Sequence, residues 1–173
     1  MRNTIADPIL PDVLRPGLRL VFCGTAAGKR SAQEGAYYAH PGNMFWRALF
    51  QAGFTPRLLV PQEFPLLPEF GIGLTDLAKR HAGNDSELPR DAFDVAGLLA
   101  KIQTWEPQVL AFTSKHGARA VLGADIGYGL QHRAWGRTEV FVLPSPSGQA
   151  RGHWDLAPWV ALAAHASRTL RRP

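Results

Sequence analysis

Apolar positions in this chain fall into short runs separated by polar stretches rich in glycine and proline, and two spacings alternate along it. Leu18, Leu20, Val21 and Phe22 form the first run, which predicts a buried strand ending at Cys23 and opening at Gly24 to Gly28 into a turn where backbone can approach a ligand. The segment from Thr25 to Gly42, with Lys29, Arg30 and Ser31, reads as a long loop, and long loops inside a compact domain are usually functional. From Asn43 to Ala52 the spacing turns helical on Met44, Trp46, Ala48, Leu49 and Phe50, with Gly53 placed to cap the end. Pro61 starts a short helix that Pro65 and Pro68 limit. Gly71 to Leu77 reads as an extended piece ending beside Asp76, and His81 to Arg90 as an exposed polar loop.

The second half repeats the alternation. Val95, Leu98, Leu99 and Ile102 place an amphipathic helix over Asp94 to Trp105, stopped by Pro107. Gln108 to Phe112 is a strand, a helix runs from the Ser114 region through Leu122, and Glu139 to Leu143 is a further strand. Pro144 to Gly152 is a loop and Trp154 to Leu170 a closing helix, while Met1 to Gly17 is an irregular lead-in broken by three prolines. Strands alternating with helices predict a three-layer α/β/α fold around a mostly parallel sheet. Ligands of such sheets bind beyond the carboxyl ends of the strands. Gly24 to Gly28, Asp76, Ser114 to Gly117 and Ser145 to Arg151 each follow a strand-like run and are expected at that edge.

Composition narrows the picture. A chain of 173 residues, 46% of them hydrophobic, suits one domain over 1–173. Against 14 acidic residues stand 19 Lys and Arg, for a net charge of +5, which fits a polyanionic partner without requiring one. Cys23 is the only cysteine, so an internal disulfide and a thiolate metal cluster are both excluded. At the end of an apolar strand it reads as a small buried hydrophobe. No apolar run reaches membrane-spanning length and the first residues lack a secretory core, so a soluble, cytoplasmic protein is expected.

Chemistry concentrates in a few loops. Tyr38, just before the turn His40-Pro41-Gly42, is either a packing aromatic or a platform for a flat ligand. Ser114-Lys115-His116-Gly117 offers a hydroxyl, a cation and backbone amides, as a helix cap or as a phosphate contact. The six histidines show no metal-ligand spacing. Neither GxxxxGK[ST] nor GxGxxG occurs, which disfavours a generic nucleotide-binding domain.

The ordered motifs FCGTAAG, YAHPGNMFW, QAGFT and VLPSPSG resemble the mismatch-specific uracil-DNA glycosylases, bacterial relatives of thymine-DNA glycosylase, over about Leu18 to Trp159. The resemblance implies a uracil-DNA glycosylase-like fold and a monofunctional, cofactor-free, monomeric enzyme of the bacterial nucleoid. Such an enzyme acts on double-stranded DNA with G:U or G:T mispairs, flipping the base out before cutting its N-glycosidic bond. It further implies that Tyr38 stacks on the extruded base, that Thr25 and Ala26 supply backbone beside it, and that Ser147, Gly148, Gln149 and Arg151 form a wedge loop entering the duplex. The family usually reads Gly-Ile-Asn-Pro-Gly in its first loop, and its Asn positions the attacking water. Here that position is Ala26.

The missing amide calls for a substitute. Asp76 can orient water and stabilise a sugar cation, unless it is an ordinary helix N-cap. Lys29, Arg30, Ser31, Ser114 and Lys115 are then candidate DNA contacts. Without a substitute, the chain would be a DNA-damage binding module that has lost catalysis.

Overall fold

A computed structural model describes residues 7–169. Its centre is a five-stranded sheet in the order β2-β1-β3-β5-β4. The strands are β1 (Leu20–Ala27), β2 (Ile72–Ala82), β3 (Val109–Phe112), β4 (Gly129–Trp135) and β5 (Thr138–Val142). β1 pairs in parallel with β2 and β3, and β3 with β5, whereas β4 closes the far edge antiparallel to β5.

The central strands are apolar throughout because both of their faces are covered. Alternate residues go to opposite layers. Leu20 and Phe22 of β1, Val109 and Ala111 of β3, and Phe141 of β5 join one core with α2 (Phe45–Gln51), α5 (Ala157–Thr169) and the 3-10 segment Pro61–Phe70. Val21 and Cys23, Leu110 and Phe112, and Val140 and Val142 join the other, with α3 (Val95–Trp105) and α4 (Lys115–Leu122). This is the expected three-layer α/β fold. Trp159 anchors the first core, fully buried and stacked on Phe22 with ring centroids 5.6 Å apart.

Several boundaries differ from the sequence reading, each for a local reason. The loop expected over Thr25 to Gly42 begins as strand, since β1 continues to Ala27, and then holds a short helix, α1 (Lys29–Glu34), capped by Gly35 at φ 63°. Six residues without a clear apolar stripe give no helical period to detect. β2 runs on through Lys79 and Arg80 to Ala82, into the stretch read as an exposed loop, because pairing with β1 continues through Ala26 and Ala27. Asp76 is therefore a mid-strand residue and caps no helix.

β4 escaped the sequence reading altogether. It is an edge strand, mostly exposed, whose side chains carry no apolar alternation. In the lead-in, Val13 pairs with Leu74 and the Ile9 amide donates to the Lys79 carbonyl (2.7 Å), so this segment lies against the outer side of β2. The closing helix begins at Ala157, and its expected last residue, Leu170, lies outside the described residues.

Candidate active site

β1 and β2 outrun β3. The last β1–β3 pair is Cys23 with Phe112, whereas β1 and β2 continue through Gly24 opposite Asp76. A cleft of about 690 Å³ opens at the carboxyl end of β3. Gly24, Asp76, Tyr38 and Thr113 meet there. A β-carbon on Gly24 would lie 2.5 Å from Asp76 Oδ1, 3.1 Å from the Tyr38 hydroxyl and 3.6 Å from Thr113 Oγ1. The bare glycine therefore leaves room for oxygens from three different segments.

Asp76 is 6% exposed, and its carboxylate accepts no hydrogen bond from the described residues. Burial disfavours its charge and pushes its pKa up to about 6; Lys79 and Lys101 oppose that rise and Asp12 adds to it. A carboxylate titrating near neutrality in a cleft is a functional-site signature.

Tyr38 is held in an unusual way. Its φ of 52° is left-handed, a conformation a tyrosine adopts only when its surroundings impose it. On one side Ser31 Oγ accepts from the Ala39 amide (3.0 Å), and on the other Trp46 Nε1 donates to the Tyr37 carbonyl (3.0 Å). Phe45 covers one face of the ring, with centroids 3.9 Å apart and planes 17° from parallel. The hydroxyl lies 3.3 Å from Thr113 Oγ1, and burial raises its pKa well above that of a free tyrosine. What Tyr38 offers the cleft is its remaining surface and this hydroxyl.

The other named residues divide. Thr25, Ala26, Lys29, Arg30, Ser31, Ser114, Lys115, Ser147, Gly148 and Gln149 line the cleft with Asp76 and Tyr38. Arg151 does not line it. It is exposed on the 3-10 segment Gly148–His153, with its guanidinium beside Gly42. The loop after β5 is nonetheless docked on the Tyr38 loop: Pro146 O accepts from the Met44 amide (2.8 Å), and a β-carbon on Gly148 would stand 3.2 Å from Gly42 O.

Several polar groups are already engaged. Thr25 Oγ1 donates to Asp85 (2.8 Å), Lys29 pairs with Glu87 (2.8 Å), and Arg30 pairs with Glu34. Ser114 caps α4 by accepting from the Gly117 amide (3.2 Å), and Lys115 Nζ sits 4.2 Å from the centre of the Tyr128 ring. Ser31 is buried with its hydroxyl committed to the Ala39 amide. Ser31→Ala is therefore expected to cost about 1–2 kcal/mol of stability through an unpaired buried amide. Unaltered melting of the variant would show instead that the hydroxyl braces nothing and is free to meet a ligand.

Sequence reasoning missed Thr113, the need for glycine at position 24, and Asn43. Asn43 lines the cleft and its Oδ1 accepts from the Phe45 amide (2.9 Å), which leaves its NH2 toward ligand or solvent. An amide thus borders the cleft from the start of α2 and not from position 26. Its place two residues after Pro41, in the turn that carries Tyr38, was the available signal. Cys23 is buried, and burial pushes its thiol pKa up, which suits packing and not nucleophilic work.

An open α/β sheet with a polar cleft over its carboxyl ends, walled by Tyr38 and the buried carboxylate of Asp76, is the arrangement in which proteins of this class take ligands at the strand ends. The model of the uracil DNA glycosylase superfamily matches residues 11–165, and the chain belongs to that superfamily. Its fold is similar to the solution NMR structure of a candidate uracil DNA glycosylase from Methanosarcina acetivorans. That similarity has a TM-score of 0.62 at 23% identity and covers 91% of this chain and 96% of the other.

Proposed function

We propose that this protein is a monofunctional glycosylase that removes uracil, and more slowly thymine, from opposite guanine in double-stranded DNA. The observation that carries this reading is the convergence of Tyr38, Asp76 and Ser147 on one cleft, although the chain separates them widely. A base inside a duplex is out of reach of such a cleft, so it must be extruded. Stacking on an aromatic surface is worth about 1–3 kcal/mol per base, and Tyr38 is the cleft aromatic beside Asp76 and Gly24 that this reading assigns to it. In this reading the backbone of Thr25 and Ala26 meets the edge of the base, and the loop of Ser147, Gly148 and Gln149, which lines the same cleft, fills the vacated stack. On the same reading Lys115, on the cleft wall, and Arg151, exposed beyond it, meet phosphates of the bound strand.

Ionised Asp76 orients a water toward C1′. The bond from C1′ to the base nitrogen breaks, the base leaves with its electron pair, the water oxygen bonds to C1′, and the water proton passes to the carboxylate. The same negative charge stabilises the sugar cation as it develops.

The deciding experiment incubates the protein with duplexes containing one G:U, A:U or G:T pair, then cleaves abasic sites with alkali. Strand scission fastest at G:U is expected. Tight binding to the mispair without scission would instead establish the damage-binding module that Ala26, lacking an amide, allows. Ala26→Asn narrows the pocket and supplies that amide, so it is expected to raise uracil release several-fold over thymine release. Equal change on both bases would refute a role for position 26 in selection.

A further inference from the structure

The lead-in segment brings a cluster of charges up to Tyr37, a residue of the cleft lining. Val13 exchanges two 2.9 Å hydrogen bonds with Leu74, which lays the preceding residue, Asp12, over β2. Asp12 Oδ1 accepts from Thr75 Oγ1 (2.7 Å) and lies 3.0 Å from Lys79 Nζ, while its Oδ2 lies 2.7 Å from Lys101 Nζ on α3. Lys79 is 10% exposed along its side chain. Its ammonium also donates to the Tyr37 hydroxyl (3.0 Å), which itself donates to Pro11 O (2.8 Å). The cluster reaches the cleft side chiefly through Tyr37, whose ring centroid lies 6.2 Å from that of Tyr38, while Thr75 and Asp76 leave opposite faces of β2.

Two ammonium groups and one carboxylate leave a net positive charge beside a second, buried carboxylate. The groups acting on Asp76 are Lys79 of its own strand, Lys101 of α3 and Asp12 of the lead-in, with Cys23 of β1 and the Tyr37 and Tyr38 hydroxyls as titratable neighbours. We propose that Asp12 is a positioning residue for Asp76: by cancelling one of the two lysine charges and holding Lys79 against Tyr37, it sets how much positive field reaches the cleft carboxylate. The proposal rests on Asp76 being the working carboxylate of a glycosylase.

Two readouts on the full chain separate the two ideas. The first is the carboxyl carbon resonance of Asp76, followed by NMR against pH without DNA and assigned by its loss in Asp76→Asn. The second is the pH profile of single-turnover uracil release. Asp12→Asn unmasks the lysines, so the Asp76 midpoint and the acid limb of the profile are expected to move down by about half a pH unit or more. Lys101→Met removes a favourable charge and is expected to move both up, while Asp12→Glu returns them toward the parent values. A merely structural Asp12 would lower stability without displacing either midpoint. Unmoved midpoints, or shifts of one sign in both variants, overturn the proposal, and if Asp12→Asn does not fold, Asp12→Ser, which removes the charge and keeps a hydroxyl for the lysines, is expected to lower both midpoints and decides in its place. Should the resonance midpoints move as stated while no form of the protein releases uracil, the coupling stands and the glycosylase reading falls.

Discussion

Asp76→Asn is expected to slow single-turnover uracil release by about 100-fold or more, the scale of losing a positioned general base, while raising the melting temperature. Both effects follow from one feature, a carboxylate whose charge burial disfavours and to which none of the described residues donates a hydrogen bond. With a folded pKa of about 6 against an ordinary 3.8, the native state holds a proton that the unfolded chain has released over the intervening range. Stability therefore falls as pH rises from about 4 to about 6 and stays reduced above that. A shift of this size corresponds to about 3 kcal/mol at pH 8, of which the neutral amide recovers roughly 1–3, because the amide itself remains poorly paired. At about 2–4 °C per kcal/mol for a chain of this length, the variant should melt several degrees higher at pH 8 and like the parent near pH 4. Release that stays fast would remove Asp76 from the chemistry. Melting that falls at pH 8 would show that its charge is compensated in the fold.

The second large effect is expected from a single methyl group. In Gly24→Ala, the β-carbon would enter the space 2.5 Å from Asp76 Oδ1 and 3.1 Å from the Tyr38 hydroxyl. Alanine fits the extended backbone of β1, so the conflict lies wholly with the side chains of the cleft floor. Asp76 must turn away or β1 and β2 must part, and overpacking of this kind costs about 1–3 kcal/mol. The greater consequence is for function: the floor that would receive the base is filled and the carboxylate is displaced, and uracil release should drop by about 100-fold. Gly127→Ala, whose β-carbon would meet nothing within 4 Å, is the control and should retain parental release and melting within error. A Gly24→Ala protein with normal release would show that the base binds elsewhere in the cleft.

These two residues show how much of the site could be read from the chain. Asp76 was legible as a carboxylate following an apolar strand-like run, but its alternative as a helix cap was resolved only by the pairing of Gly24 with Asp76 inside a continuous sheet. Tyr38 was legible as an aromatic beside a proline turn, whereas its left-handed backbone and its stacking on Phe45 were not. Lys29, Arg30 and Ser31 read as one basic loop. In the folded protein they are a salt-bridged lysine, a salt-bridged arginine and a buried serine brace. The partner of Lys29, Glu87, is distant in sequence, whereas Arg30 and Glu34 stand four apart on α1 and pair only because that short stretch is helical.

What the sequence determined by itself is the layer order. The apolar runs at Leu20 to Cys23, Val109 to Phe112 and Val140 to Leu143 can be satisfied only with both faces covered, and the helical stretches between them supply the cover. Tertiary structure alone decided where those strands stop relative to one another. β3 ends one pair before Gly24 meets Asp76, and that difference in length creates the cleft. It also decided which charges face Asp76, since Asp12, Lys79 and Lys101 belong to three segments that only packing brings within ion-pair distance. Periodicity is a property of neighbouring residues, whereas a cleft and its electric field are sums over atoms that the chain itself keeps far apart.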